Sequence, residues 1–314
     1  MDVKPQCKRT PGPWRFTAMG SPCAIHLVGL DASRRAAVTQ ALRMQLETLE
    51  ARFSRYRPDS LISEINRRAG MADRLRLDDE AVGLLDYAAV AWEQSGGLFD
   101  ITSGALRRVW DFHAARLPTP AQVTSAMRVV GFDKLEWQRP YLRLPISGME
   151  LDFGGIVKEY AVDKLVGIAR AMGADHGWID LGGDVGIIGP QLDDQPWRIG
   201  LRDGSPATVG RVVGMTAGAI ASSGDYERGM TVDGVRYGHV LSPLTGWPVR
   251  GVRAVSVLGP QCLVAGSAST IALLKGADAS GWLESLDLPW MLVDEEGGLQ
   301  GPLVTTAKTR SEPA

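Results

Sequence analysis

Apolar residues recur at helical spacing through much of the first half of the chain and alternate at strand spacing through much of the second. Val38, Leu42, Leu46, Leu49 and Phe53 fall every three or four positions within Ser33–Phe53, which predicts one long amphipathic helix. Asp79–Ser95 predicts another, stopped by Gly96-Gly97. Shorter helices are predicted for Ser60–Arg67, started by Asp59 or Ser60, for Thr102–Val109, and for Thr119–Val129 after Pro118. A further helix follows Gly155 and runs through Tyr160, Val162, Leu165 and Ile168 to about Met172. Trp14–Gly29 alternates as a strand broken at Gly20, and Leu135–Leu151 reads as short strands with turns. Beyond it come strands at Trp178–Leu181, Gly186–Ile188, Trp197–Leu201, Arg211–Ala221, Glu227–Val232 and Arg253–Leu258, with a hairpin signal at Asp233-Gly234. Ala265–Lys275 and Gly281–Leu286 read as helices and Trp290–Val293 as a closing strand. Helices first and strands later predict an α+β protein rather than regular βαβ alternation.

No repeat, low-complexity tract or linker divides the 314 residues. Composition changes this picture little. Hydrophobic residues make up 45% and charged residues 22%, the balance of a soluble globular protein. A net charge of −2 gives no broad field for nucleic acid or an anionic membrane, and scattered pairs such as Arg67-Arg68 and Arg107-Arg108 read as solvated helix faces. Cys7, Cys23 and Cys262 lie far apart without metal-ligand or disulfide spacing. The N-terminus shows neither an apolar signal core nor a lipidated cysteine, and no stretch approaches the roughly 20 apolar residues of a membrane span, so the default expectation is cytoplasmic.

Asp152-Phe-Gly-Gly-Ile-Val-Lys158 carries the clearest chemistry. A glycine turn there opens a helix whose first turn holds a lysine. Bare amides at a helix N-terminus beside a lysine suit a phosphate or pyrophosphate, and Gly155 offers a carbonyl oxygen to a hard cation. Further segments surround it in order along the chain. They are Phe53–Ser60 with Glu64-Ile-Asn66, Gly96–Thr102, Ile179-Asp-Leu-Gly-Gly-Asp184, Ser222-Ser-Gly-Asp-Tyr-Glu-Arg228 and Tyr237–Pro248. Each alone is compatible with an ordinary turn or strand end.

As an ordered set, from Met19-Gly20 to Thr270, these blocks resemble the ApbE family of FAD-dependent protein flavinyltransferases. The matching blocks include Phe99-Asp-Ile-Thr102, Asp152–Lys158, Gly182-Gly-Asp184, Ser223-Gly-Asp-Tyr226 and His239–Gly246. The resemblance implies a mixed, largely antiparallel sheet core with flanking helices in one domain over 14–305, with a 13-residue extension before it and a flexible tail over 306–314. It implies an enzyme that splits FAD and passes FMN, through a phosphoester, to a threonine or serine of an acceptor protein with release of AMP, assisted by Mg²⁺. It places Met19, Tyr56, Leu98, Phe99, Asp100, Asp152, Lys158 and Val240 in the FAD site, with Gly155 and Thr270 at the metal. Tyr56 and Phe99 offer flat faces to rings, Asp100 and Asp152 accept hydrogen bonds, and Lys158 neutralises phosphate charge. His239 is the only histidine in a matching block and the candidate base, whereas His26, His113 and His176 read as structural. The paired phosphates are expected where two helix starts, near Gly155 and Ala265, converge beside Lys158.

Three positions depart from the family pattern. Relatives usually carry a metal-binding aspartate where this chain has Gly266, in Ala265-Gly-Ser-Ala-Ser-Thr270, so metal binding is expected to lean on the FAD phosphates. Ser267 could add a neutral oxygen, and Gly266→Asp is expected to tighten Mg²⁺. Glu159 stands where relatives have glycine and is expected to repel a pyrophosphate unless it points away or meets a cation. Ser242 replaces a common aspartate. These departures leave two rivals, a non-catalytic FAD-binding protein and an FAD pyrophosphatase that uses water as acceptor.

Overall fold

Alternation breaks at Met19-Gly20 because the chain reverses there. The computed structural model describes residues 12–112, 114, 116–202, 209–225, 229–306 and 308–309. Strands β1 (Trp14–Ala18) and β2 (Ser21–Val28) pair antiparallel with Ala18 opposite Ser21. The two residues between them have φ of 49° and 69°, a reversal that matches the twist of the flanking strands. Glycine adopts this backbone freely, while methionine does so at a cost of roughly 1–2 kcal/mol. The Met19 amide is held by the Glu50 carboxylate at 3.0 Å.

The sheet continues through β3 (His176–Leu181), β4 (Asp184–Gly189), β5 (Ala219–Gly224), β6 (Val252–Gly259), β7 (Trp290–Asp294) and β8 (Leu299–Gln300). Every strand pairs antiparallel with the next in chain order, so the eight-stranded sheet is a meander with long insertions. Between β2 and β3 lie α1 (Ala32–Phe53), α2 (Leu61–Arg67), α3 (Asp79–Gln94), α4 (Pro120–Met127) and α5 (Val157–Ala171). Between β6 and β7 lie α6 (Cys262–Lys275) and α7 (Ala279–Glu284). Helix starts follow their sequence signals. Asp31, Ser60 and Asp78 cap α1, α2 and α3, and Thr119 with Gln122 forms a capping box on α4.

Period-two alternation sorts the sheet's side chains onto two buried faces. Ile179, Leu181, Val255, Val257 and Leu292 join α1, α5 and α6 in the larger core. Val185, Ile187, Ile220, Met291 and Val293 point the other way, against Leu201 and Met215 of a smaller sheet. Gly186 lets α5 settle on the strands, since a Cβ there would stand 2.6 Å from Val162 Cγ1 and 2.9 Å from Val166 Cγ2. A third cluster of Leu106, Trp110, Val130 and Met230 ties the insertion carrying His239 to the helices before α5, with Trp110 Nε1 donating to the Gly246 carbonyl at 2.8 Å.

Three expectations are corrected. Arg211–Ala221 is two strands in different sheets, because the chain turns at Gly218, whose φ is 77°. Its first part pairs with Trp197–Arg202 in the small sheet. Lys308–Thr309 pair with the other edge of that part. Ile101–Arg108 is a 3₁₀ rather than an α-helix. The late helix begins at Cys262, not Ala265. Tyr226, Glu227, Arg228 and His113 lie outside the described residues.

Candidate active site

Segments from many parts of the chain enclose a cavity of about 940 Å³. All eleven residues expected at the site line it. They comprise Met19, Tyr56, Leu98, Phe99, Asp100, Asp152, Gly155, Lys158, His239, Val240 and Thr270. Residues far apart in sequence therefore share one wall system, although their side chains are engaged in different ways.

The floor is the Gly154-Gly155 turn and the first turn of α5. No side chain caps this helix at Ile156. Gly154, Gly155, Val157 and Lys158 face the cavity, and the Asp152 carboxylate steadies the turn by accepting from the Gly154 amide at 2.9 Å. Lys158 Nζ is paired with Asp184, which is only 2% exposed and also accepts from the Ser222 amide at 3.2 Å. The Gly182-Gly183 turn delivers Asp184, with φ of 68° and 97°, and a Cβ on Gly182 would meet Ser21 Cβ at 2.7 Å. So the Gly-Gly-Asp block holds the lysine in place rather than touching the cavity through its own carboxylate.

The start of α6 differs from expectation. The Asp163 carboxylate on α5 accepts from the Cys262 and Leu263 amides at 2.7 and 2.9 Å. Burial pushes the Asp163 carboxyl above its ordinary pKa against these two donors, and the charge of Glu159 adds to the rise. That helix start is filled by the protein's own carboxylate and is not a phosphate site. The part of α6 that reaches the cavity is its later half, at Thr270, Leu273 and Leu274.

Asp100 and Phe99 also work differently. Asp100 Oδ1 accepts from the amide and hydroxyl of Thr102 at 2.7 and 2.6 Å, and Oδ2 from the Phe132 amide at 2.8 Å. Burial nevertheless raises its pKa. This carboxylate is spent on shaping the Phe99–Thr102 loop. Phe99 is 5% exposed and packs behind Gly155, 3.4 Å from where a Cβ there would stand, so it supports the floor instead of offering a free ring face. Tyr56, 75% exposed, offers one at the mouth.

Of two arginines at the mouth, the sequence reads Arg107 as part of a solvated pair and gives Arg55 no role. Arg55 Nε and Arg107 Nη2 each stand 3.5 Å from Asp152 Oδ2, Arg107 donates to the Tyr56 hydroxyl at 3.0 Å, and both arginines line the cavity. Their signal was faint: Arg55 adjoins Tyr56, and Arg107 sits on the helix after Phe99-Asp100. Ser223 lies in a matching block but has no role assigned to it there. Its Oγ lies 2.9 Å from both Ser269 Oγ and Thr270 Oγ1, so it seats the Thr270 hydroxyl.

One departure acquires a physical reason. Ser242 Oγ accepts from the Leu244 amide at 3.3 Å in the turn after His239, a task a short acceptor fulfils as an aspartate would. Ser267 is turned away toward Tyr87, whose hydroxyl lies 3.0 Å from its Oγ, and it does not line the cavity. Glu159 does line it, at 6% exposure. Its Oε1 is 3.7 Å from Lys158 Nζ, and its buried Oε2 has no hydrogen-bond partner among the described residues.

Residues 19–291 match the ApbE family model, which covers this whole arrangement. The chain belongs to the ApbE family. The FAD:protein FMN transferase of Treponema pallidum is 30% identical over 286 residues, spanning 83% of this chain and 78% of its own. That of Salmonella typhimurium is 26% identical, spanning 82% and 77%. The ApbE protein of Thermotoga maritima superposes with a TM-score of 0.86 at 28% identity, covering 94% of this chain and 97% of that one. The family's mixed fold, with helices around a mostly antiparallel sheet, is therefore the fold found here. Among the described residues, no helix is long and apolar enough to cross a membrane.

Proposed function

We propose that this chain cleaves FAD and transfers FMN to a serine or threonine hydroxyl of an acceptor protein, releasing AMP. The observation that carries the reading is convergence. An uncapped helix start, Lys158 and His239 face a single cavity with the volume of a dinucleotide site. The acceptor oxygen attacks the FMN-side phosphorus while His239 takes its proton. The bond from that phosphorus to the bridging oxygen breaks, and AMP departs with the oxygen. Lys158 and the amides at the start of α5 stabilise charge on the phosphates, and Tyr56 stacks on a ring at the mouth.

Mg²⁺ belongs to the same reading. The Gly155 carbonyl and the Thr270 hydroxyl would hold it, and Glu159, which lines the cavity and has a buried carboxylate oxygen without a hydrogen-bond partner, suits a hard cation. When bound, the ion offsets charge on the pyrophosphate.

The test is incubation with FAD, Mg²⁺ and a candidate acceptor protein, followed by mass spectrometry. FMN on an acceptor threonine or serine with one AMP released per label supports transfer. AMP without label assigns a pyrophosphatase, and intact bound FAD assigns a flavin-binding protein. In His239→Ala, labelling should fall by about 10²–10⁴-fold with FAD affinity retained.

A further inference from the structure

Gly266 and Glu159 are exchanged in kind relative to the family pattern, and the structure puts them in contact. A Cβ built on Gly266 would lie 2.4 Å from Glu159 Cγ, 3.2 Å from Cδ and 3.3 Å from Cβ. The Glu159 side chain thus occupies the space that any side chain at position 266 would need. Gly155 lies in the turn that opens α5, and Glu159 in the first turn of the helix. Gly266 and Thr270 lie four residues apart on α6, which packs beside it, and Gly155, Glu159 and Thr270 all line the cavity.

The energetics of Glu159 need explaining. A carboxylate at 6% exposure with a partnerless oxygen is costly unless a charge meets it. Lys158 is already committed to Asp184, and its recorded approach to Glu159 is 3.7 Å, at Oε1. Asp163, one turn further along α5, adds like charge. A cation at Oε2 would relieve both.

We propose that Glu159 supplies the anionic ligand of the metal site, replacing from α5 the aspartate that relatives carry on α6. The inference rests on the metal-assisted reading above and alters its details. The carboxylate has moved one helix over without leaving the corner, and Gly266 is the vacancy that admits it. Glu159 then meets the cation instead of repelling the pyrophosphate. Gly266→Asp alone, expected from sequence to tighten Mg²⁺, instead has no room beside Glu159.

Manganese(II) titrated calorimetrically into the FAD-loaded protein tests this, with the wild type compared to Glu159→Gln, Gly266→Asp and the swap Glu159→Gly/Gly266→Asp. Affinity should fall by about tenfold or more in Glu159→Gln and return to within a few-fold of wild type in the swap. Gly266→Asp alone should bind no more tightly than wild type. FAD affinity in EDTA and the melting temperature report folding, and Glu159→Gln, which removes a buried partnerless charge, should melt no lower than wild type without metal. Equal affinity in wild type and Glu159→Gln, no metal binding by the wild type, or tightening by Gly266→Asp alone overturns the inference. Acceptor labelling by the wild type is scored separately. Transfer with a metal affinity indifferent to Glu159 sinks only the inference, while Glu159-dependent metal binding without transfer sinks only the proposed function.

Discussion

The starts of α5 and α6 look equivalent in sequence, each a small-residue stretch leading into a helix beside the cavity, yet they do opposite things. At α5 no side chain caps the helix, and glycines with Lys158 face the cavity. At α6 two amides are satisfied by Asp163, and the helix turns its later half to the site. The same macrodipole is left open to a ligand in one helix and closed internally in the other. A helix N-terminus thus becomes an anion site only when no neighbouring side chain reaches it first.

The strongest way to sharpen this comparison is to remove the cation at the open end. Lys158→Ala should lower acceptor labelling by about 10²–10³-fold, because the lysine stabilises phosphate charge in the transition state. It should also destabilise the fold by about 3–5 kcal/mol, since Asp184 is left buried without its counter-charge. Lys158→Ala/Asp184→Asn should recover most of the stability but none of the labelling. Recovery of both would mean that the lysine only holds the fold together.

The closed end gives a smaller effect of a different kind. Asp163→Ala should cost about 0.5–2 kcal/mol in urea unfolding through the lost cap, with FAD affinity unchanged. If FAD binding changed by tenfold, the two helix starts would not be functionally distinct. Asp163→Asn keeps an acceptor and isolates the charge. Because burial raises the folded-state pKa of Asp163, the native protein holds its proton to higher pH than the unfolded chain does. Stability therefore falls as pH rises from the unfolded pKa near 4 through the folded one. Asp163→Asn should flatten that part of the wild-type slope.

Sequence periodicity was a good guide wherever one element buries one face. It located α1 from Val38 to Phe53, the break at Gly20 and the turn at Asp233-Gly234, because local spacing alone sets those features. It joined Arg211–Ala221 into one strand because apolar residues continue across a turn that depends on the backbone freedom of Gly218. The ordered motifs located the lining of the cavity, but could not say what each side chain does there. Asp100 reads as a ligand and serves as a brace, and Phe99 reads as a stacking face and serves as packing. Such roles depend on neighbours 30 or more residues away, such as Phe132 for Asp100. Glu159 and Gly266 lie 107 positions apart, and only their contact turns two departures into one compensated exchange.

The smallest predicted effect lies at the mouth and asks whether anything besides the open helix start holds the ligand. Tyr56 is exposed, with Arg55 4.7 Å over its ring and its hydroxyl accepting from Arg107. Burial opposes it, but the two guanidinium groups hold the phenol below its usual pKa. If the ring stacks on the ligand, Tyr56→Ala should weaken FAD binding by about 0.5–1.5 kcal/mol, or roughly 2–13-fold by fluorescence titration, while Tyr56→Phe should lose little. Equal losses in both variants would assign the contribution to the arginine-held hydroxyl instead of the ring. No loss in either would leave the open end of α5 as the principal anchor, because affinity set at the phosphates is indifferent to an aromatic face at the mouth.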